Sequence, residues 1–484
     1  MKKQFLFNII LLICLNALVK PFWVFGIDRT VQNIVGAEAY GLYFALFNFS
    51  ILFNTVLDFG LTNFNNRSIA QNPALLNTYF PRLISIKIIL GIAYLTICLA
   101  AAFVLGYSAT AVKLVFLLAF NQFLASMLLF LRSNISGLQY FITDSIVSVL
   151  DRLLMIIFCG LILWTKLFPV EINVYSFVLL QSLAYFLACV IAFVLILSKG
   201  LTPGFKNIPL FSTALFRSSF PYALLGLLMV LYNRIDAVLL ERLLPNGAQV
   251  AGIYAQSFRI FDAVTMIPVL FASLLLPMFA NLLARNINMQ PLIRTSFSIL
   301  FTGMVILVIN FIVFAEPLVV LLYREYYHET VLVFVLLMLN VIPVSLTYIF
   351  GTLLTADGKL SILNRIAAGA LLVNVTSNLV LIPRIGVTGA AVTAFICQLF
   401  VAGVQLVVCK KRYSLRVDLT SFSVYVLFVA ISVGLTLLFF NFSFGLLQKI
   451  ALSSILSVVA AFLLRIINLK EIVSVIDSDN QKLM

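Results

Sequence analysis

The chain has 484 residues, of which 63% are hydrophobic and 10% charged, and its mean hydropathy is +1.15. Soluble globular domains carry about 25% charged residues, so this composition excludes a soluble protein and indicates a polytopic membrane protein. The formal net charge of +14 must first be compared with the positive-inside rule, and we expect no nucleic-acid partner. A single histidine and six isolated cysteines without CxxC spacing indicate neither a metal site nor a disulfide framework.

The apolar runs, taken in chain order, predict an all-α protein with about 14 transmembrane helices. The first run follows Met1 and two lysines and continues to about residue 25, which is too long for the apolar region of a signal peptide. Further runs long enough to cross a bilayer lie at roughly 40–60, 82–106, 112–131, 145–165, 173–198, 215–239, 252–279, 294–315, 330–354, 361–382, 387–409, 419–440 and 446–467. No stretch is polar enough for a separate soluble domain, and the longest outer connection, about residues 316–330, is short.

Lysine and arginine are unevenly distributed between the predicted connections. If the N-terminus is cytoplasmic, about 19 basic residues fall on the inner face and about 7 on the outer face. The positive-inside rule then places both termini in the cytoplasm, and this distribution explains most of the net charge. The cations within the predicted spans are therefore the informative ones, and they are Lys20, Lys87, Arg152, Arg234 and Arg259.

A short repeat indicates that the chain contains two related halves. The segments GAEAYGLY at 36–43 and GAQVAGIY at 247–254 share Gly, Ala, Gly and Tyr in register and lie 211 residues apart. Each copy is predicted to lie in an outer loop, and the offset maps span 1 onto span 7. Because six spans per half is an even number, the halves would be parallel repeats, although coincidence between two glycine-bearing loops is the alternative. We predict an N-terminal lobe (1–206), a C-terminal lobe (207–412) and two additional helices with a cytoplasmic tail (413–484).

Polar side chains recur at helical spacing in the first two spans. Every fourth residue of span 2 is polar, which predicts a stripe facing a cavity or another helix, formed by Ser50, Asn54, Asp58 and Thr62. Span 1 carries Asn16 and Lys20 on a similar face, and Pro21 can kink the helix and free a backbone carbonyl. A bent, partly polar first span is consistent with a moving gate.

Ionisable residues inside the bilayer are costly and mark functional sites by default. Lys20, Arg234 and Arg259 fall on repeat-related spans 1, 7 and 8, and we predict that they form an anion-binding set. Arg29, just outside span 1, either extends the same positive field or contacts lipid headgroups.

Two aspartates follow these arginines closely. Arg259 and Asp262 are three residues apart and can form a structural ion pair on one helix face. Arg234 and Asp236 are two apart and point to nearly opposite sides, so one of them is expected to face a cavity.

Three groups of residues resemble the polysaccharide-export branch of the multidrug/oligosaccharidyl-lipid/polysaccharide (MOP) exporter superfamily, the O-antigen flippases of Wzx type. The first resembles the helix 2 signature of that family, the second the start of its second lobe, and the third its helix 11 to 12 hairpin. The matching segments are 36–43 with 57–61 and 67–70, then 232–236 with 251–254 and 276–277, then 356–359 with 374 and 382–391. The resemblance covers about residues 1–410.

The resemblance implies a MATE-like fold with two six-helix lobes around a V-shaped central cavity and alternating access. It also implies a cationic lumen that accepts the diphosphate of a polyprenyl-linked oligosaccharide. Asp58, Asp236 and Asp262 are candidates for binding a coupling ion, H⁺ or Na⁺, and no other cofactor is expected.

The predicted function is a flippase for lipid-linked oligosaccharide units of O-antigen, capsule or exopolysaccharide synthesis in the bacterial inner membrane. Expected partners are this cargo, membrane lipids, and the polymerase and chain-length regulator of the same pathway. A MATE-like drug/cation antiporter and a flippase for peptidoglycan precursors are alternatives within the same fold. A membrane-embedded glycan polymerase or transferase is an alternative of another class, although such enzymes commonly carry acid-base residues near the interface.

Overall fold

The computed structural model describes most of the chain, with gaps near both ends and in four connections. The described ranges are 15–16, 18–165, 171–198, 213–285, 287–415 and 419–467. Within them the chain forms helices, turns and bends, without a β-strand. The predicted lobe boundary after residue 206 lies outside these ranges, and the boundary after residue 412 coincides with the end of a helix.

Fifteen α-helices follow one another along the described chain. They are α1 (Arg29–Leu52), α2 (Leu61–Gln71), α3 (Leu76–Val104), α4 (Ala109–Gly137), α5 (Phe141–Thr165), α6 (Val174–Leu197), α7 (Thr213–Leu243), α8 (Gly247–Ala284), α9 (Gln290–Val313), α10 (Ala315–Leu322), α11 (Tyr327–Ala356), α12 (Leu360–Ile385), α13 (Val387–Arg412), α14 (Leu419–Phe440) and α15 (Leu446–Leu463). The short helix α10 occupies much of the predicted outer connection at 316–330, which is therefore partly helical.

Thirteen stretches of the described chain are long and apolar enough to cross a membrane. The first of them, Leu18–Leu52, includes a break at Gly36, where φ is 81° and ψ is 165°. Glycine adopts this conformation without the steric cost that a side chain would add. The stretch therefore holds the end of predicted span 1 and the start of predicted span 2. The all-α membrane fold is confirmed, with thirteen candidate spans in the described residues where about 14 were predicted.

The second span is not a continuous helix. After α1 ends at Leu52, the chain makes a 3₁₀ turn, Asn54–Leu57. Phe59 and Gly60 then adopt positive φ angles of 43° and 83° before α2 begins. Positive φ angles cannot continue a right-handed helix, so the regular helix predicted at 40–60 is wrong beyond Leu52.

The chain divides into two compact units. Unit 1 ends at Ala255, and unit 2 begins at Gln256. In unit 1, a large apolar core joins α2, α3, α4 and α6 through residues such as Ile69, Phe80, Phe130 and Ile196. This core supports the helices that carry the polar sites described below.

In unit 2, α11 and α12 pack on α13, and α14 and α15 pack on each other and on α9. The C-terminal pair is held by an apolar cluster that includes Val305, Ile309 and Phe428. Hydroxyl contacts add to this cluster, because the Ser298 and Tyr425 side chains lie 2.6 Å apart. The two C-terminal helices therefore form part of the packed core of unit 2.

Candidate functional site

The first span contains a π-helical turn directly after its proline. Pro21 lacks a backbone N–H, and the chain is π-helical over Trp23–Asp28. Such π turns are rare and frequently lie at functional sites. Lys20 precedes the turn and Arg29 follows it, and both side chains are half-buried. The irregular first span expected from Pro21 is thus present.

The four predicted anion-binding cations are distributed over both units. Lys20, Arg29 and Arg234 lie in unit 1, Arg259 lies in unit 2, and all four are half-buried. Arg152 lies close enough to Lys20 for electrostatic interaction. Within the described residues, Nε of Arg29 is buried without a hydrogen-bond partner. The role of these cations in binding an anion stays a prediction.

Two buried aspartates each accept a hydrogen bond from a tyrosine of a repeat segment. The tyrosine follows the first glycine of that segment, Gly36 or Gly247. The Tyr40 hydroxyl donates to Asp28 Oδ2 over 2.7 Å, and the Tyr254 hydroxyl donates to Asp236 Oδ2 over 3.3 Å. Each pair joins the helix before the glycine to the helix after it. Sequence reasoning proposed Asp236 and missed Asp28, although an acid eight residues before Gly36 in a predicted hairpin was a usable signal.

An ion pair between a buried lysine and a partly exposed aspartate lies at the break of the second span. Lys87 of α3 is 1% exposed, and its ammonium group forms a salt bridge with Asp58. It also donates to the Leu57 carbonyl over 3.1 Å and to Ser126 Oγ over 3.0 Å. The sequence assigned no role to Lys87, because its partner lies 29 residues earlier in the break of the second span.

The predicted stripe along span 2 is interrupted by the helix break. Ser50 is fully buried, and its hydroxyl donates to the Phe47 carbonyl of the same helix over 2.7 Å. Asn54 and Asp58 lie in the break itself, and the Thr62 hydroxyl of α2 donates to Asp58. The four residues therefore do not share one face of a regular helix.

Asn16 of the first span also belongs to the predicted polar residues. It is buried and donates to Ser148 Oγ of α5 over 3.3 Å. A cavity lined by Asn16, Asn54, Asp58 and Thr62 stays a prediction. The Arg259–Asp262 ion pair stays a prediction, and so does the coupling role of Asp58, Asp236 and Asp262.

The two copies of the glycine repeat pack against each other in unit 1. A Cβ atom on Gly41 would lie 1.8 Å from the Ala248 carbonyl oxygen, and one on Gly252 would lie 2.0 Å from that of Ala37. The two helices therefore meet backbone to backbone, in a contact that only glycine permits. We call this contact the glycine crossing.

The repeat segments themselves are helix starts, and their assignment to outer loops is wrong. Gly36 forms the break before the helix that contains Gly41, and Gly247 is the first residue of α8. The Gln32 side chain adds a hydrogen bond of 3.2 Å to the Gly252 carbonyl. The repeat is thus a packing motif.

A polar cluster joins the turn between α3 and α4 to the end of α7. The Tyr107 hydroxyl donates to Glu241 Oε2 over 3.1 Å, and Arg242 pairs with the same carboxylate at 3.1 Å. The Arg242 guanidinium also lies 3.3 Å from the centroid of the Tyr107 ring, a cation–π contact. Burial, reinforced by the neighbouring Glu241 carboxylate, raises the pKa of Tyr107 to about 12, so the phenol remains protonated at physiological pH.

Unit 2 contains a set of buried neutral side chains between α11, α12 and α13. The Asn378 amide donates to Asn374 Oδ1 over 3.0 Å, and both residues are fully buried. Among the described residues, the side-chain oxygens of Asn340, Thr347 and Gln405 are buried without a hydrogen-bond partner. The sequence offered no motif for these residues, because isolated amides in apolar runs have no characteristic spacing.

The described part of the chain contains no group of three or more His, Cys, Asp and Glu residues that could hold a metal ion. The five cysteines in this part of the chain are buried and form no disulfide with one another. The arrangement thus consists of intramembrane cations, buried carboxylates and a close helix contact.

The family model described as "Polysaccharide biosynthesis protein" matches residues 7–283. The chain belongs to this family. Among proteins of curated function, none matches the sequence significantly. The resemblance predicted from residues 36–43 and 57–61 is therefore confirmed at the family level.

Solved structures share the fold of this family member. "Lipid II flippase MurJ, inward closed conformation" is 12% identical with a TM-score of 0.72, covering 94% of this chain and 99% of that chain. An inward-facing multidrug resistance MATE family transporter of the MOP superfamily is 16% identical with a TM-score of 0.60, covering 83% and 94%. A MOP superfamily transporter from Pyrococcus furiosus, titled for the reverse polarity of its binding pocket, is 16% identical with a TM-score of 0.60, covering 84% and 94%. The chain thus has the MOP transporter fold.

Proposed function

We propose that this family member is a flippase that moves polyprenyl-diphosphate-linked oligosaccharide units from the inner to the outer leaflet of the bacterial plasma membrane. The units would supply O-antigen, capsule or exopolysaccharide synthesis. The observation that carries the proposal is membership of a polysaccharide biosynthesis family by a chain composed largely of membrane-spanning helices. A solved flippase for lipid II has the same fold, which is consistent with a lipid-linked cargo.

The half-buried cations Lys20, Arg29, Arg234 and Arg259 supply the chemistry that a diphosphate requires. Charge-assisted hydrogen bonds from Lys and Arg to phosphate oxygens are stronger than neutral ones, and they gain strength where water is excluded. Cationic residues within membrane segments also disfavour a cationic drug as cargo. This charge distribution favours the flippase over the MATE-like antiporter.

Alternating access would be driven by H⁺ or Na⁺ binding at carboxylates within the membrane spans, with the buried Asp236 and the half-buried Asp262 as the proposed positions. Both termini would lie in the cytoplasm of a protein of the inner membrane. The exported unit would then pass to the polymerase and chain-length regulator of the same pathway. The protein itself would catalyse no covalent step.

The proposal is tested by mass spectrometry of lipid-linked glycans in cells depleted of the protein. An impermeant glycosidase reports which leaflet holds the units, and surface glycan is scored in parallel. We expect complete polyprenyl-diphosphate units to accumulate on the inner leaflet while surface polymer disappears. Unpolymerised units on the outer leaflet would instead indicate a polymerase, and unchanged pools with altered sensitivity to cationic drugs would indicate an antiporter.

Plasmid-borne variants then test the cationic site. Arg234→Ala and Arg259→Ala should fail to restore export, because each removes a charge from the proposed diphosphate site. Lys113→Ala is the matched control, since Lys113 is an exposed cation at the start of α4. Equal export by all three variants at equal protein levels would contradict the cationic site.

A further inference from the structure

The break in the second span exposes backbone groups that a continuous helix would satisfy. Between Leu52 and Leu61 the chain leaves the α-helical path, so the Leu57 carbonyl has lost its helical partner. An unsatisfied carbonyl buried in a membrane span costs several kcal/mol. A donor from elsewhere in unit 1 must therefore satisfy this carbonyl, and Lys87 Nζ does so.

The Lys87 ammonium is fully coordinated by oxygen atoms. An ammonium group has three N–H donors, and here they point to the Leu57 carbonyl, the Asp58 carboxylate and the Ser126 hydroxyl. The carbonyl and hydroxyl lie 3.1 and 3.0 Å from Nζ, which are ordinary N–H···O distances. A backbone carbonyl, a carboxylate and a hydroxyl form the kind of oxygen shell that proteins use for small cations.

The shell is reached from one side only. The Lys87 side chain is 2% exposed, whereas the Asp58 side chain is 31% exposed. Asp58 also accepts hydrogen bonds from the backbone and hydroxyl of Thr62, so it holds the start of α2 as well as the ammonium. A small cation could therefore enter past Asp58 if the lysine side chain were absent.

We propose that Lys87 is a tethered cation: its ammonium permanently fills a cation-binding shell formed by Leu57, Asp58 and Ser126, and thereby positions the helix break. In this arrangement Asp58 is neutralised by a fixed charge and binds no exchangeable ion in the native protein. Removing the side chain of Lys87 creates a vacant site whose best-fitting occupant is ammonium, because the oxygen distances are those of N–H donors.

The proposal is tested by chemical rescue of the purified Lys87→Ala variant, independently of transport. Thermal unfolding is followed with a thiol-reactive dye, since the described cysteines are buried. We expect a lower midpoint for Lys87→Ala than for wild type, and a saturable rise of that midpoint with ammonium chloride. Tetramethylammonium chloride at the same ionic strength, which offers no N–H donor, should give no such rise, and wild type should respond to neither salt.

Two further variants separate a cation site from a packing defect. Lys87→Met fills the space with an apolar chain, so it should lose stability and remain insensitive to ammonium. Lys87→Ala/Asp58→Asn lacks the carboxylate, so its response to ammonium should disappear. If Lys87→Ala is too unstable to purify, the same salts are compared during solubilisation, where ammonium alone should increase the yield of folded protein. Equal effects of both salts, or none, would overturn the proposal.

Discussion

The two compact units differ in the charged groups that they bury. Among the described residues, the charged side chains that are buried are Asp28, Lys87 and Asp236, and all three lie in unit 1. Unit 2 buries amides and hydroxyls, such as Asn340, Asn374 and Asn378, together with serines and threonines. Unit 1 also joins helices by buried neutral groups, such as Asn65 and Ser133. What distinguishes it from unit 2 is therefore the presence of buried charges and of the glycine crossing.

This difference has a consequence for stability. A buried charge is costly when its partner is removed, because desolvation is no longer compensated. A buried neutral amide with an unsatisfied oxygen is already partly uncompensated, so replacing it by an apolar group of similar shape can be nearly neutral. Substitutions of the buried charges in unit 1 should thus destabilise the protein more than substitutions of the unpartnered buried amides in unit 2.

The largest effect is expected from breaking the Lys87–Asp58 ion pair of unit 1. Lys87→Met should lower the free energy of unfolding by about 2–4 kcal/mol, because it removes the donor to the buried Leu57 carbonyl and the counter-charge of the partly exposed Asp58 carboxylate. Lys87→Met/Asp58→Asn replaces both partners and should regain much of that loss. Denaturant titration of the folded fraction in detergent measures both values. A double variant that is no more stable than the single one would show that charge compensation is not the cause.

The next effect concerns the glycine crossing. Gly41→Ala should destabilise the protein by about 1–3 kcal/mol, because the new methyl group meets the backbone of α8 and cannot be avoided by a side-chain rotation. Gly226→Ala in α7 is the control, since a Cβ there would have no neighbour within 4 Å. Thermal midpoints of the two variants give the comparison. Similar midpoints would mean that the two helices can separate at no cost.

A smaller effect is expected in unit 2. Asn340→Leu should change the free energy of unfolding by less than about 1 kcal/mol in either direction, because it removes a buried oxygen that has no partner among the described residues. The same denaturant titration measures this change. A loss as large as that of Lys87→Met would remove the distinction between the units.

The smallest effect is the pH dependence of a surface cluster of unit 2. Partial burial acts to raise the pKa of Asp357, but hydrogen bonds from Arg412 and Tyr413 outweigh it and lower the pKa below its ordinary value of 3.8. Because the folded-state pKa is lowered, the stabilisation is present above pH 3.8 and is lost as pH falls through the folded-state value.

Asp357→Asn tests this dependence. The variant should be less stable than wild type at pH 6 by at most about 1 kcal/mol, as expected for an exposed ion pair. The difference should shrink as the pH falls below 4, which thermal midpoints across a pH series would show. A difference that stays constant with pH would exclude ionisation of Asp357 as its origin.

The sequence predicts the helical class and the number of spans well, because hydropathy alone determines which segments can enter a bilayer. It does not predict the break after Leu52, since the positive φ angles of Phe59 and Gly60 depend on tertiary contacts. It also assigns the glycine repeat to loops, because a shared motif indicates related segments without indicating what they contact.

The candidate site was harder to predict than the fold. Asp58 was found by helical spacing, but that spacing presumes a regular helix and does not reveal the pairing with Lys87. Arg234 and Arg259 were found because charges in apolar segments are rare. Asn374 was named only through a family resemblance and Asn378 was not identified, because neutral amides in membrane helices carry no comparable signal.

The proposal of a lipid-linked oligosaccharide flippase with a cationic site is tested most directly in reconstituted vesicles. Purified protein is placed in liposomes that hold polyprenyl-diphosphate-linked glycan in both leaflets, and an impermeant glycosidase removes the exposed units over time. Wild type and Lys113→Ala should expose the inner pool progressively, whereas Arg234→Ala and protein-free liposomes should protect it. The proposal would be contradicted if folded, reconstituted wild type left the inner pool protected. It would also be contradicted if protein-free liposomes exposed the pool as fast as wild type does.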